Sequence, residues 1–350
     1  MCRPLQNGGL YGRICNYVRK KHEIFFYFSE KAFFIKSEYL IIYLQQCKQR
    51  LLICKTYRKG EKMQGILFAL IPMIAWGSIG FVSNKIGGKP DQQTLGMTLG
   101  ALLFAFVVWL FVQPEMSVTL WVVGIIGGML WSMGQNGQFR AMQYMGVSVG
   151  NPLSSGAQLV FGSLIGAIVF GEWSKPVQYT LGIIALLLLV IGFYFTSKRD
   201  AEKVETSELT DYGKGFRALT YSTVGYLSYT ILFNNIMKFD ALAVIFPMAV
   251  GMVLGAVMFM KFNVKFETVV IKNAIVGLMW GVGNIFMLLA AAKAGLAIAF
   301  SFSQLGVIIS IMGGILFLGE TKTRKEMRWL VIGIACFVLG AVLLGIVKSY

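Results

Sequence analysis

Amide, hydroxyl and Trp side chains lie within otherwise apolar stretches of the chain, where they could bind a polar solute. The candidate binding residues share this setting and are Trp76, Trp131, Gln135, Asn136, Gln138, Asn151, Ser154, Gln158, Asn234, Trp280, Asn284, Ser303 and Gln304. An amide offers a hydrogen-bond donor and an acceptor together, and a Trp ring can pack on the C–H face of a sugar ring. Such a set, without a buried charge, favours a neutral polyhydroxylated solute over an ion or an anionic metabolite.

Helix packing is the alternative interpretation of the same residues. Ser, Asn and Gln hold membrane helices together with roughly 0.6–2 kcal/mol each, and Trp often marks the membrane interface. Four of these residues occur at equivalent places in two halves of the chain, which favours binding for Ser154, Ser303, Trp131 and Trp280.

These positions belong to an internal duplication. Trp131, Gly134, Gly146 and Ser154 recur at the same spacing as Trp280, Gly283, Gly295 and Ser303, and a Gly-Glu pair follows each copy. Many secondary carriers consist of duplicated helical bundles with a central substrate site. The duplication therefore favours transport.

The elements that must position these residues are membrane helices. Apolar residues make up 56% of the chain and charged residues 14%, and the mean hydropathy is +0.68. Windows of about 19 residues predict ten transmembrane helices, five within residues 63–196 and five within 215–350, joined by a charged, solvated linker at 197–214. We expect an all-α integral membrane protein of two inverted five-helix repeats, because an odd helix count reverses the second copy.

The charges indicate an orientation. Fifteen of the 19 Lys and Arg after Met63 follow the odd-numbered helices. The positive-inside rule then places the linker in the cytoplasm and both ends of residues 63–350 outside. The net charge of +16 is explained by cytoplasmic loops and anionic lipid, so we expect no nucleic-acid partner.

Residues 1–62 differ from the remainder of the chain. They hold 13 of the 32 Lys and Arg, four of the five Cys and the one His, but no Trp. We predict that this is an N-terminal extension outside the native protein and that the native start is Met63. The alternative is a genuine basic cytoplasmic arm.

Nothing after Met63 predicts catalysis. No His occurs there, Cys336 is the one Cys, and the carboxylates lie in loops or at helix ends. Neither a catalytic triad, a zinc site nor a carboxylate pair can be assembled from these residues. We therefore expect no enzymatic activity, metal or cofactor, and a membrane enzyme is a distant alternative.

Glu172 and Glu320 follow the fourth and ninth predicted helices. We consider them candidate gating or coupling residues, each pairing with a Lys or Arg, against the alternative of inert solvated carboxylates. Proton coupling through them and facilitated diffusion both stay open. Asn151-Pro152 further predicts a bend in the fourth helix.

A resemblance supports this interpretation. Ten helices in two repeats with Gly-Glu endings resemble the drug/metabolite transporter superfamily. Within it, Trp76-Gly77, the loop Gly87-Gly88-Lys89-Pro90 with Gln93, Gly96-x-Thr98-x-Gly100, Gln158-Leu159 and Ser303-Gln304 resemble the glucose/ribose uptake family of Gram-positive bacteria. The resemblance covers roughly residues 63–348.

The resemblance implies a multi-pass permease of the cell membrane that imports glucose or ribose by alternating access, with protons as one option for coupling. We expect Gln135, Asn136 and Gln138 to set the choice of sugar. The alternatives are an exporter of small metabolites or drugs from the same superfamily and, more distantly, a sugar-sensing membrane protein that transports nothing.

Overall fold

The computed structural model describes residues 37–198, 200, 211–237 and 240–347. For residues 37–60, 62, 234, 235 and 297 only the backbone is described. The chain divides into two compact units, Met1–Gly65 and Ile66–Tyr350, and every side chain discussed below belongs to the second. The predictions for residues 1–36 and 201–210 lie outside the described residues.

The described residues are almost entirely helical. The helices are α1 Ser37–Ile86, α2 Pro90–Val112, α3 Val118–Met145, α4 Val147–Ile168, α5 Pro176–Ser197, α6 Tyr212–Ile231, α7 Ala241–Phe259, α8 Thr268–Ala294, α9 Leu296–Gln304, α10 Gly306–Leu318 and α11 Arg324–Val347. A π-helical segment, Leu232–Met237, continues α6.

Local sequence explains where these helices begin. Pro occupies the first position of α2 and α5, where its missing N–H has no helical partner to lose. Asp211 caps α6 by accepting the Lys214 N–H, and this bond is the largest cause that lowers the pKa of the Asp211 carboxyl below its ordinary value. Gly146 and Gly295 have φ of 82° and 93°, so each separates two helices at the same place in the duplication.

Eight segments are long and apolar enough to cross a membrane, which makes the chain a multi-pass membrane protein. They are Met63–Ile86, Pro90–Val112, Val118–Met145, Pro176–Ser197, Ala241–Phe259, Thr268–Ala294, Ile298–Leu318 and Arg324–Val347. Helices α4 and α6 are of similar length but more polar, so they fall outside this set. These two helices carry several of the buried polar side chains described below.

Helices from opposite halves pack closely through glycine. A Cβ on Gly100 of α2 would lie 1.9 Å from the Ala274 carbonyl oxygen of α8, and one on Gly128 of α3 would lie 2.0 Å from the Met248 carbonyl oxygen of α7. No side chain fits at such distances, so these glycines allow the backbones to touch. Further large contacts join α3 with α6, α5 with α11, and α4 with α10.

Helix α4 and the segment formed by α9 and α10 occupy equivalent places in the two halves, and only the segment in the second half is interrupted. Helix α4 runs unbroken through Pro152, whereas α9 ends at Gln304 and α10 begins at Gly306.

One residue near the start of the predicted linker is buried, although the sequence predicts a solvated loop. Asp200 is buried, and its backbone N–H donates to the Glu326 carboxylate at 3.2 Å. Its own carboxylate accepts from the Thr323 hydroxyl at 3.2 Å and lies 3.6 Å from the Lys325 ammonium. These contacts hold the beginning of the linker against the start of α11.

Candidate functional site

A chain of hydrogen bonds joins three of the predicted residues through a fourth that the sequence did not single out. The Tyr226 hydroxyl of α6 lies 2.8 Å from Gln135 Oε1 and 3.0 Å from Gln138 Oε1. Gln138 Nε2 donates to Asn151 Oδ1 at 2.9 Å. Helices α3, α4 and α6 therefore meet at a buried cluster of neutral polar groups.

Aromatic rings from both halves adjoin this cluster. Trp131 and Trp280 have ring centroids 5.2 Å apart, and Trp131 meets the Tyr226 ring edge-on at 6.0 Å. The Trp76 indole N–H donates to the Trp280 carbonyl oxygen at 3.3 Å. The four rings, which we call the aromatic box, lie on α1, α3, α6 and α8.

The repeated glycines make room for the aromatic box. A Cβ on Gly134 would lie 2.6 Å from the Tyr226 ring, and one on Gly283 would lie 2.3 Å from the Trp76 indole nitrogen. The spacing from Trp131 to Gly134 equals that from Trp280 to Gly283. In each half, therefore, an aromatic ring packs against the glycine that follows the Trp at this spacing.

Ser154 and Gln158 lie beside the hydrogen-bonded cluster. Ser222, one turn before Tyr226 on α6, donates to the Gly134 carbonyl oxygen at 2.7 Å and lies 3.4 Å from the Ser154 hydroxyl. Gln158 Nε2 donates to the Ser154 carbonyl oxygen at 3.1 Å. Both predicted residues are thus placed on the α4 face that meets α6.

One donor in the cluster has no partner among the described residues. The Gln135 side chain is 2% exposed, and its Nε2 forms no hydrogen bond to that part of the chain. Leaving a buried donor unsatisfied costs about 1–3 kcal/mol, so such groups are rare and tend to mark function. An amide donor beside Trp and Tyr rings is suited to a ligand hydroxyl.

Asn136 belongs to a different cluster. Its Nδ2 donates to Asp91 Oδ1 at 2.8 Å and to Thr94 Oγ1 at 3.2 Å, while its Oδ1 accepts from Arg140 Nε at 2.8 Å. Arg140 also forms an ion pair with Asp91 at 2.7 Å. Asn136 therefore stabilises the contact between α2 and α3 and shares no hydrogen bond with Gln135 or Gln138 among the described residues.

The second-half candidates bond within their own helices. Asn284 Nδ2 donates to the Trp280 carbonyl oxygen at 2.8 Å, and the Ser303 hydroxyl donates to the Phe300 carbonyl oxygen at 2.8 Å. Gln304 Nε2 lies 3.5 Å from the Ser303 hydroxyl. The Asn234 side chain lies outside the described residues.

Glu320 contacts a helix end, and within the described residues it forms no ion pair with a Lys or Arg. Its carboxylate accepts from the backbone N–H groups of Val147 and Ser148, the second at 3.0 Å, in the first turn of α4. A carboxylate is favourable there because it satisfies free N–H groups and complements the helix dipole. The turns before Glu172 and Glu320 match, with their N–H groups bonded to the Gly166 and Gly314 carbonyl oxygens at 3.0 and 3.1 Å.

Sequence reasoning missed Tyr226, Ser222, Asp91 and Arg140. The sequence did contain a signal for Tyr226. The position in the second half that corresponds to Trp76 in the duplication is adjacent to Tyr226. Among the described residues, no group of His, Cys, Asp and Glu side chains could hold a metal ion.

Known proteins match most of the chain. The family model described as "Sugar transport protein" matches residues 67–347. "Putative sugar uptake protein SAG2157" of Streptococcus agalactiae is 74% identical over 288 residues, which are 82% of this chain and 100% of that protein. "Putative sugar uptake protein YxfA" of Lactococcus lactis is 59% identical over 293 residues, with 82% of this chain and 99% of that protein covered.

The fold also has a counterpart among solved structures. One crystal structure is similar with a TM-score of 0.53 at 15% sequence identity, and the match covers 82% of this chain and 99% of that one. At this identity the likeness concerns the fold alone.

Proposed function

Because the chain belongs to the sugar transport protein family of Gram-positive bacteria, we propose that it is a secondary transporter that imports a monosaccharide, glucose or ribose, across the cytoplasmic membrane. The family and the names of the relatives concern sugar uptake in general. The choice of sugar and the mechanism are the finer part of the proposal.

The observation that carries the proposal is the unpartnered Gln135 Nε2 beside the aromatic box. It is a buried donor with no charge, set among acceptors and ring faces contributed by both halves. A sugar hydroxyl can accept from Gln135 Nε2 while the ring packs on Trp131 or Trp280. An ion or anionic substrate would need charged partners that the cluster does not contain.

We further propose ten membrane helices in two inverted repeats, with α9 and α10 together forming the ninth. The contact of α3 with α7 has its counterpart in that of α8 with α2, as an exchange of halves requires. Helix α5 also packs against α11, and α2 packs against α7. Each of these pairs joins corresponding helices of the two halves, so an exchange of halves leaves the pair unchanged. Helices α4 and α6 cross as well, with their polar faces turned to the other helices and away from lipid.

Alternating access then requires contacts between the halves to break and reform. The bond of Glu320 to the start of α4 joins the two halves at one end of the bundle. Glu172 has the equivalent place in the duplication, and we propose that the two carboxylates close opposite ends of the solute path in turn.

The experiment measures uptake of radiolabelled glucose and ribose by cells that lack their own glucose and ribose systems and express the full chain. One arm contains a proton uncoupler. The control strain carries the empty vector, and membrane insertion is measured by immunoblotting of purified membranes.

We expect one of the two sugars to enter faster than in the control, with excess unlabelled sugar suppressing the signal. Accumulation that the uncoupler abolishes establishes proton coupling, whereas equilibration that it does not change establishes a facilitator. If the inserted protein moves neither sugar, the import proposal fails, and efflux of small metabolites is the next function to measure.

A further inference from the structure

A cavity of about 430 Å³ lies among the ends of α1, α8 and α10, apart from the polar cluster and the aromatic box. Six side chains line it: Phe81, Val82, Lys85, Ile86, Lys272 and Phe317. The lining therefore combines two cations with an aromatic and aliphatic wall. This composition is unlike that of the proposed sugar site, which carries neutral amides.

The two cations come from different helices. Lys85 lies on α1 with its ammonium 5.3 Å from the centroid of the Phe317 ring, and Lys272 lies on α8. Within the described part of the chain, neither forms an ion pair, and no Asp or Glu lines the cavity. Two ammonium groups facing one cavity are favourable when an anion lies between them.

The apolar wall is closely packed and continues onto the outer face of the bundle. The rings of Phe81 and Phe317 are stacked with centroids 5.2 Å apart and an angle of 15° between their planes. Phe81 is held against Gly313, where a Cβ would lie 2.0 Å from its ring. Phe317 is 55% exposed, and its neighbour Leu316 is exposed as well. The cavity thus opens to the apolar surroundings of the helices.

An occupant of this cavity must be anionic at one end and apolar at the other. We propose that the cavity binds an anionic phospholipid, with its phosphate between Lys85 and Lys272 and an acyl chain along Phe81 and Phe317. Basic pockets between membrane helices on the cytoplasmic side suit such headgroups. The distribution of Lys and Arg along the sequence independently predicts that Lys85 and Lys272 lie on the cytoplasmic side.

The test uses the full chain, purified in detergent and titrated with phosphatidylglycerol or phosphatidylcholine under native mass spectrometry. The variant carries Lys85→Gln and Lys272→Gln together. The matched control carries Lys261→Gln and Lys265→Gln, which remove the same charge from exposed positions between α7 and α8. Inorganic phosphate is added in a separate arm to distinguish a lipid from a free anion.

We expect the wild type and the control to retain phosphatidylglycerol in preference to phosphatidylcholine. We expect roughly thirtyfold weaker phosphatidylglycerol binding in the Lys85/Lys272 variant, from about 1 kcal/mol for each Lys. A variant with Lys85→Arg and Lys272→Arg should bind as the wild type does, which separates loss of charge from loss of folding.

Three results would overturn the proposal. They are equal retention of the two lipids, unchanged phosphatidylglycerol binding in the Gln variant, and displacement of the lipid by inorganic phosphate at similar concentration. Loss of binding in the Arg variant would also contradict it, because Arg pairs with phosphate at least as well as Lys does.

Discussion

Gln135 and Gln178 are both buried glutamines, and their hydrogen bonding differs. Gln178 Oε1 accepts from the Ser174 and Lys175 N–H groups, and its Nε2 donates to the Val347 carbonyl oxygen at 3.2 Å. Gln135 has only its oxygen bonded, to Tyr226. A side chain kept for packing alone would have both ends satisfied, as Gln178 does.

This contrast leads to a prediction for the same substitution at both sites. Gln135→Leu should raise the KM for sugar uptake about tenfold, because one hydrogen bond to the ligand is lost. Its thermal stability should change little, since Tyr226 keeps Gln138 as its acceptor. Gln178→Leu should lower the Tm and leave uptake per inserted molecule unchanged. A Gln135→Leu protein that unfolds readily but transports normally would refute the binding role.

The residue types of the site could be predicted from the sequence, but their grouping only in part. Gln135, Gln138 and Asn151 are joined by hydrogen bonds through Tyr226, whereas Asn136 bonds to Asp91 and Arg140. Successive residues on a helix point about 100° apart, so adjacent positions seldom share a site. The partner of Gln135 could not be predicted, because Tyr226 comes from α6 and depends on how the halves pack.

At the scale of helices, the crossing of α3 and α6 requires Gly134. We expect the Cβ of Gly134→Ala to push on the Tyr226 ring and to reduce the free energy of unfolding by about 1–3 kcal/mol through overpacking. The variant should therefore have a lower Tm and impaired uptake. Gly162→Ala on α4 is the control, since its Cβ would lie 3.4 Å from the nearest atom, in Leu227. Its Tm should be equal or higher because alanine favours the helix. Equal behaviour of the two variants would contradict this account of the crossing.

The contact between Glu320 and α4 gives a second prediction for an element. Glu320→Gln keeps one acceptor but removes the charge at the helix N-terminus, so we expect a loss of about 1–2 kcal/mol, measured as a lower Tm in detergent. Glu115→Gln is the control, because Glu115 is an exposed carboxylate in the loop between α2 and α3. If Glu320→Gln is as stable as the control, the carboxylate is not what holds α4.

Helix positions followed well from hydropathy, but their long-range contacts did not. The Gly-Glu turns were visible in the sequence, yet the partner of Glu320 is a pair of backbone N–H groups. Backbone N–H groups are not marked by any residue type, so the sequence predicts a Lys or Arg as the partner. The break at Leu305 is likewise unmarked, since no Pro stands near it and Pro152 of the other half lies four residues before the equivalent position.

At the scale of the whole molecule, all proposed site residues lie after Met63. We predict that residues 63–350 alone transport sugar at the rate of the full chain, per inserted molecule. The family match begins at residue 67, and relatives of 288 residues align over their full length. Uptake by the two forms, normalised to protein in the membrane, checks this. Failure of the shorter form to insert would show that the first 62 residues are required.

The orientation of the bundle gives the last prediction, because it depends on the charges of the entire chain. In residues 63–350 with Cys336→Ala, we expect Ser174→Cys to react with a membrane-impermeant maleimide on intact cells. Thr206→Cys, in the charged linker, should react only after the membrane is opened. Fifteen of the 19 Lys and Arg after Met63 follow the odd-numbered predicted helices, on the same side as the linker. The positive-inside rule places this side in the cytoplasm, because Lys and Arg are then not moved across the membrane. The reverse pattern would place Lys85 and Lys272 at the outer leaflet, where the argument from cytoplasmic anionic lipid no longer applies.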